Sequence, residues 1–171
     1  MTPKRDDSSS AIRRAIIVGA GLFIFALFLS AVYEPRIRVL HALQALIYVA
    51  VIGLARRNSA WGYGAGVLIS GFWNYINLFV TTFIQAGIEQ FVGLFQTGRI
   101  TRPDLALSLI AAAGHFLLIV ACLAGFLINR PKTRDWAQFV GGGVLAVAYF
   151  IAIIITTGPQ YIPLLRKVFA L

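Results

Sequence analysis

Acidic residues are scarce in this sequence. Six Asp and Glu stand against fifteen Lys and Arg in 171 residues, and none of the six lies inside a long apolar run. That absence excludes a buried carboxylate site for a hard metal ion. It also argues against a proton-coupled pump, whose relay uses intramembrane acids. Cysteine is limited to Cys122, so no intrachain disulfide is possible. No serine, histidine and acid are set out as a catalytic triad. The glycines of "WGYGAG" at Trp61 follow no strand of a βαβ unit, and "VGGGV" at Val140 lacks the Lys-Ser/Thr of a phosphate loop. No catalytic residue is assigned and the chain is read as non-catalytic, the alternative being a membrane hydrolase or lipid-modifying enzyme with its acid at the boundary, where Glu89 and Asp104 lie.

Charge of either sign is sparse too. Charged residues make up 12% of the chain, about half the share usual in a soluble domain, while hydrophobic residues reach 59% and mean hydropathy is +0.82. The sequence therefore reads as an all-α integral membrane protein. The formal charge of +9 does not indicate nucleic acid, because the basic residues sit in short clusters at the ends of apolar runs: Arg13 with Arg14, Arg36 with Arg38, Arg56 with Arg57, Arg130 with Lys132 and Arg134, Arg166 with Lys167. The lipid bilayer, with its anionic headgroups, is the partner that this pattern fits.

Residues 1–10 are polar and without apolar periodicity, and read as a disordered tail; residues 11–171 form a single transmembrane domain. Five apolar runs, at about residues 15–33, 37–55, 61–83, 105–129 and 137–157, each have a length suited to crossing a bilayer. A short interfacial helix is expected over 84–98, after span 3, with a break near Gly87, because an unbroken helix would far outrun the hydrocarbon. An interfacial segment is expected over 159–171. Counting Lys and Arg on alternate sides gives nine on the N-terminal side and six on the other. The N-terminus is thus expected in the cytoplasm of a bacterial-type inner or plasma membrane, and the C-terminus outside.

Polar residues recur along the apolar runs at helical spacing. In span 3, Gly62, Gly66, Ser70, Asn74, Asn77, Thr81 and Gln85 form one stripe. Span 2 carries His41, Gln44 and Tyr48, span 4 carries Ser108, Ala112, His115 and Cys122, and span 5 carries Gln138, Gly142, Tyr149 and Thr156. Span 1 has no such stripe and is expected at the periphery. Depths at about 1.5 Å per residue separate glycines in the inner half from larger polar residues in the outer half. The pattern predicts close helix packing at Gly62, Gly66 and Gly142. It further predicts a polar cavity or helix interface built from His41, Gln44, Tyr48, Ser70, Asn74, Asn77, Thr81, His115 and Tyr149.

Three functions are compatible with such a seam. The first is a non-catalytic packing or accessory component of a membrane assembly, as a homo-oligomer or with a partner, its amides joining helices. The second is small-solute binding or transport through the outward-facing seam. The third is haem or metal binding by the histidines. His41 and His115 differ in depth by roughly 9 Å, which is awkward for two ligands of one iron, so no cofactor is expected.

Overall fold

The computed structural model describes residues 5–129 and 131–169, with side chains described from residue 8 onward. Seven α-helices follow one another: α1 Arg5–Tyr33, α2 Arg38–Arg56, α3 Ala60–Tyr75, α4 Phe83–Thr97, α5 Pro103–Ile128, α6 Thr133–Thr157 and α7 Ile162–Phe169. No strand occurs among the described residues. Four helical stretches, in α1, in α2 with the turn before it, in α5 and in α6, are long and apolar enough to cross a membrane. The count becomes five if α3 and α4, bent by 71° at their junction, form one span.

Large hydrophobic side chains such as Phe28, Val49, Phe95, Val120 and Leu145 stand exposed around the outside. That surface is compatible with lipid, where an exposed side chain loses nothing to water.

The N-terminal tail differs from its sequence-based reading. Residues 5–10 continue α1 instead of lying disordered, and residues 1–4 are outside the described residues. Once the apolar part has nucleated a helix, each further residue adds a backbone hydrogen bond at little cost. Ser9 also accepts from Arg13 one turn on, at 3.4 Å.

Helix α1 is not peripheral. It packs along α5, with α2 on its other side, and it buries Ile16, Ala20, Phe23 and Leu27. At the α1–α5 crossing Gly19 and Gly114 face each other so closely that a methyl on either would press on the other's carbonyl. Small residues, which let backbones approach, take the place that polar ones hold on the other helices. A stripe of polar residues was therefore the wrong criterion for a central helix.

The break after α3 lies at Thr81–Thr82, five residues before Gly87. Helix α3 first widens into a π-helical turn, Ile76–Val80, and Thr82 then takes a left-handed conformation at φ 58°. Asn77, Thr81 and Gln85 supply the reason. The Asn77 amide donates to the Trp73 carbonyl (2.9 Å), Thr81 Oγ1 donates to Asn77 Oδ1 (3.2 Å), and Gln85 Nε2 donates to the Leu78 carbonyl (3.0 Å). Short polar side chains compete with the helix for its own backbone groups, and a broken helix is tolerated in lipid where such groups are satisfied again. Gly87 has a different task. It lies inside α4 against the Leu105 carbonyl and Ser108 Oγ of α5, where a Cβ would collide.

A β-branched residue in the left-handed region costs about 1–2 kcal/mol, and the Thr82 hydroxyl makes no hydrogen bond among the described residues. Thr82→Gly removes that strain and gives back part of the gain as unfolded-chain entropy. The expected net result is a small rise in thermal stability in detergent. A fall would show that the bend is not strained at this residue.

Candidate functional site

The helices run alternately up and down, so their ends fall into two sets. At one end the packing is tight. A Cβ at Gly64 would enter the Phe139 carbonyl of α6, and one at Gly142 would enter the Trp61 carbonyl of α3. Gly62 lies on Leu54 and Ala55 of α2, and Gly66 on Cys122 Sγ and Val51. The three glycines singled out above thus sit at helix contacts, and Gly64, Gly19 and Gly114 belong with them.

At the other end the helices diverge around a cavity of about 330 Å³, within the range of about 300–1,000 Å³ usual for small-molecule sites. The ends of α1, α3 and α6 and the beginnings of α2 and α5 wall it, and α7 lies against it through Leu164 and Leu165. Most of the wall is carbon. Phe23 and Trp73 lie on its inner side; Glu34, Arg102 and Tyr161 come from the turns at its rim, and Asp104 from the first turn of α5. Arg102 and Asp104 form an ion pair at 2.6 Å with the guanidinium largely exposed, so the pair adds little stability. Burial pushes the Tyr161 phenol above its ordinary pKa, and the nearby Glu34 carboxylate adds to that.

Of the nine residues expected at a polar cavity or interface, four line this cavity: His41, Gln44, Asn77 and Thr81. Asn77 and Thr81 are largely occupied with the bend: among the described residues Asn77 bonds only within its own turn, and Thr81 Oγ1 accepts from the Phe83 N–H at the start of α4 (3.4 Å). His41 is anchored. Its Nδ1 lies 2.8 Å from the Leu27 carbonyl and 3.0 Å from Ser30 Oγ, which itself donates to Leu27 at 2.9 Å. A carbonyl accepts only, so Nδ1 carries a proton, and in the neutral ring Nε2 is left as an acceptor. No described residue bonds that Nε2.

The other five residues lie elsewhere. Tyr149 donates to the Leu43 carbonyl at 3.3 Å and ties α6 to α2. Ser70 and Asn74 are buried on the α3 stripe, and among the described residues Ser70 Oγ and both ends of the Asn74 amide have no partner, nor has Gln44 Oε1. Tyr48 and His115 meet, with the phenol oxygen 2.7 Å from Nε2.

The tautomer of that buried pair follows from counting protons. If Nε2–H donated to Tyr48, the phenol proton and the bare Nδ1 would both be stranded. If the phenol donates to Nε2, only Nδ1–H lacks a partner, as observed for Nδ1, so the second arrangement is favoured.

Phe23 and Trp73 roof this pair. Their ring centroids lie 4.0 and 4.7 Å from that of His115, and Phe23 is 4.3 Å from Tyr48. Phe23 was not singled out from the sequence; its signal was the run of small and apolar residues Ile16, Ala20, Phe23, Leu27 and Ala31 at helical spacing. His41 and His115 do not converge, since one is tied to α1 and the other to Tyr48. No cluster of three metal-ligating His, Cys, Asp or Glu side chains occurs among the described residues.

Comparison with protein-family models, curated proteins and solved structures gives no match.

Proposed function

We propose that the chain is a five-span protein of a bacterial-type inner or plasma membrane, with its N-terminus cytoplasmic, that binds a small and largely apolar molecule in its outward-facing cavity. The observation that carries this reading is the cavity of about 330 Å³ at one end of the bundle, opposite the close glycine contacts of the other. Orientation rests on the excess of Lys and Arg on the N-terminal side. Transport would need a second opening through the packed end, so binding is the activity this geometry supports. A packing role in a larger assembly is the second reading, favoured by the highly exposed Phe79 beside the bend and Phe95 near the end of α4; it predicts a species larger than the monomer in mild detergent.

The test of binding uses 1-octanol. Saturable stabilisation of the purified full chain is expected, at roughly 2.7 kcal/mol when the ligand stands at 100 times its Kd. Ala111→Phe, which fills space on the cavity wall, is expected to lose that response while still unfolding cooperatively. A folded parent chain with no saturable response would contradict the reading.

A further inference from the structure

We infer that the preferred ligand is a protonated amine on an apolar body, its ammonium held at the rim by Glu34 and the Tyr161 ring and its body running inward to Phe23 and Trp73. This rests on the binding reading above. The first observation is charge. Three formal charges line the cavity, and Arg102 and Asp104 neutralise each other at 2.6 Å. Glu34 is left over. Its carboxylate accepts a single long bond, from the Arg36 backbone at 3.4 Å, so most of its acceptor capacity is open. The neighbouring arginines do not cancel it from within, because neither Arg36 nor Arg38 lines the cavity and Arg38 Nε is turned to the Ala31 carbonyl at 3.1 Å.

The second observation is the anchored imidazole. His41 lies on the wall roughly one helical turn below the rim, and its Nε2 can accept but not donate while Nδ1–H is held by the Leu27 carbonyl. An ammonium has three N–H donors, enough to serve both Glu34 and His41. The third is the aromatic wall. Tyr161 shares the rim with Glu34, and an aromatic face attracts a cation most where water is thin. Apart from Arg102, whose charge is paired with Asp104, the donors on the wall are neutral, among them the Gln44 amide and the Trp73 indole N–H, which no described residue bonds. They suit a polar ligand but do not supply the charge that would select a carboxylate.

The experiment holds the tail constant and changes the head. Octylamine, 1-octanol and octanoate are titrated at pH 7 by calorimetry into the full chain in nanodiscs of zwitterionic lipid, with empty nanodiscs as the blank. Octylamine is expected to bind roughly tenfold more tightly than octanol, since a charge-assisted hydrogen bond is about twice as strong as a neutral one; octanoate is expected to be the weakest. Glu34→Gln should bring amine and alcohol within about threefold of each other. Equal affinities in the parent chain, or octanoate as the tightest ligand, would overturn the assignment while leaving a binding cavity. Failure of all three to bind saturably would remove the cavity reading and this inference together.

Discussion

Gly64→Ala is expected to prevent the bundle from closing. The added methyl would overlap the Phe139 carbonyl, and that carbonyl is part of the backbone of α6, not the tip of a side chain that could turn away. Gly142→Ala meets the Trp61 carbonyl from the other side of the same α3–α6 contact. Overpacking costs typically about 1–3 kcal/mol and sometimes more, and helices held by close backbone approach have no compensating hydrophobic gain in lipid. Each variant should therefore lose its monodisperse peak on size exclusion, or unfold well below the parent in detergent. Gly21→Ala and Gly71→Ala are the controls, because a Cβ at either meets nothing within 4 Å. A helix gains about 1 kcal/mol on replacing Gly by Ala, so both controls should match or exceed the parent. Parental stability in Gly64→Ala would mean that α3 and α6 do not touch here.

Tyr48→Phe is expected to cost about 1–3 kcal/mol, because it strands His115 Nε2 in a site fully closed to solvent when Nδ1 already lacks a partner. His115→Phe strands the phenol instead and should cost a similar amount. Removing both polar partners is a different case, since two buried groups that never needed pairing leave nothing unsatisfied. The double variant Tyr48→Phe, His115→Phe should thus be more stable than the sum of the single losses, by about 1 kcal/mol or more. Thermal unfolding of the four proteins measures this coupling. Additive losses would show that phenol and imidazole do not bond.

Sequence periodicity carried the helical class and the long apolar stretches a long way, because a bilayer demands length and apolarity that few other environments require. It did less well with the asparagines. Asn77 stands at a spacing that suits an interhelical contact, yet its amide is used within its own helix, at the turn where α3 widens. Spacing gives the face of a side chain but not whether its nearest partner is across the interface or one turn back. The site was legible in half for a similar reason. His41, Gln44, Asn77 and Thr81 showed as polar atoms in apolar runs, but Glu34, Arg102 and Tyr161 lie in turns, where polarity is ordinary and carries no signal. Phe23 looked like lipid-facing hydrocarbon until the neighbours of α1 were known.

The most direct test of an outward cavity above a closed base is thiol labelling at two depths on α5. Cys122, the one native cysteine, is buried, so the parent chain serves as the unlabelled background. Ala111→Cys places a thiol on the cavity wall and Ala121→Cys places one in the packed half, away from the cavity; the two alanines are equally buried, at 4% exposure, so only the cavity distinguishes them. A membrane-impermeant maleimide added outside intact cells should label Cys at 111 but not at 121, and octanol should slow the reaction at 111. After denaturation each variant should take up two labels and the parent one, at Cys122. An unreactive 111 in intact cells that also stays unreactive in nanodiscs, with both faces open, would contradict the cavity; labelling at 111 only in nanodiscs would retain the cavity and reverse the orientation.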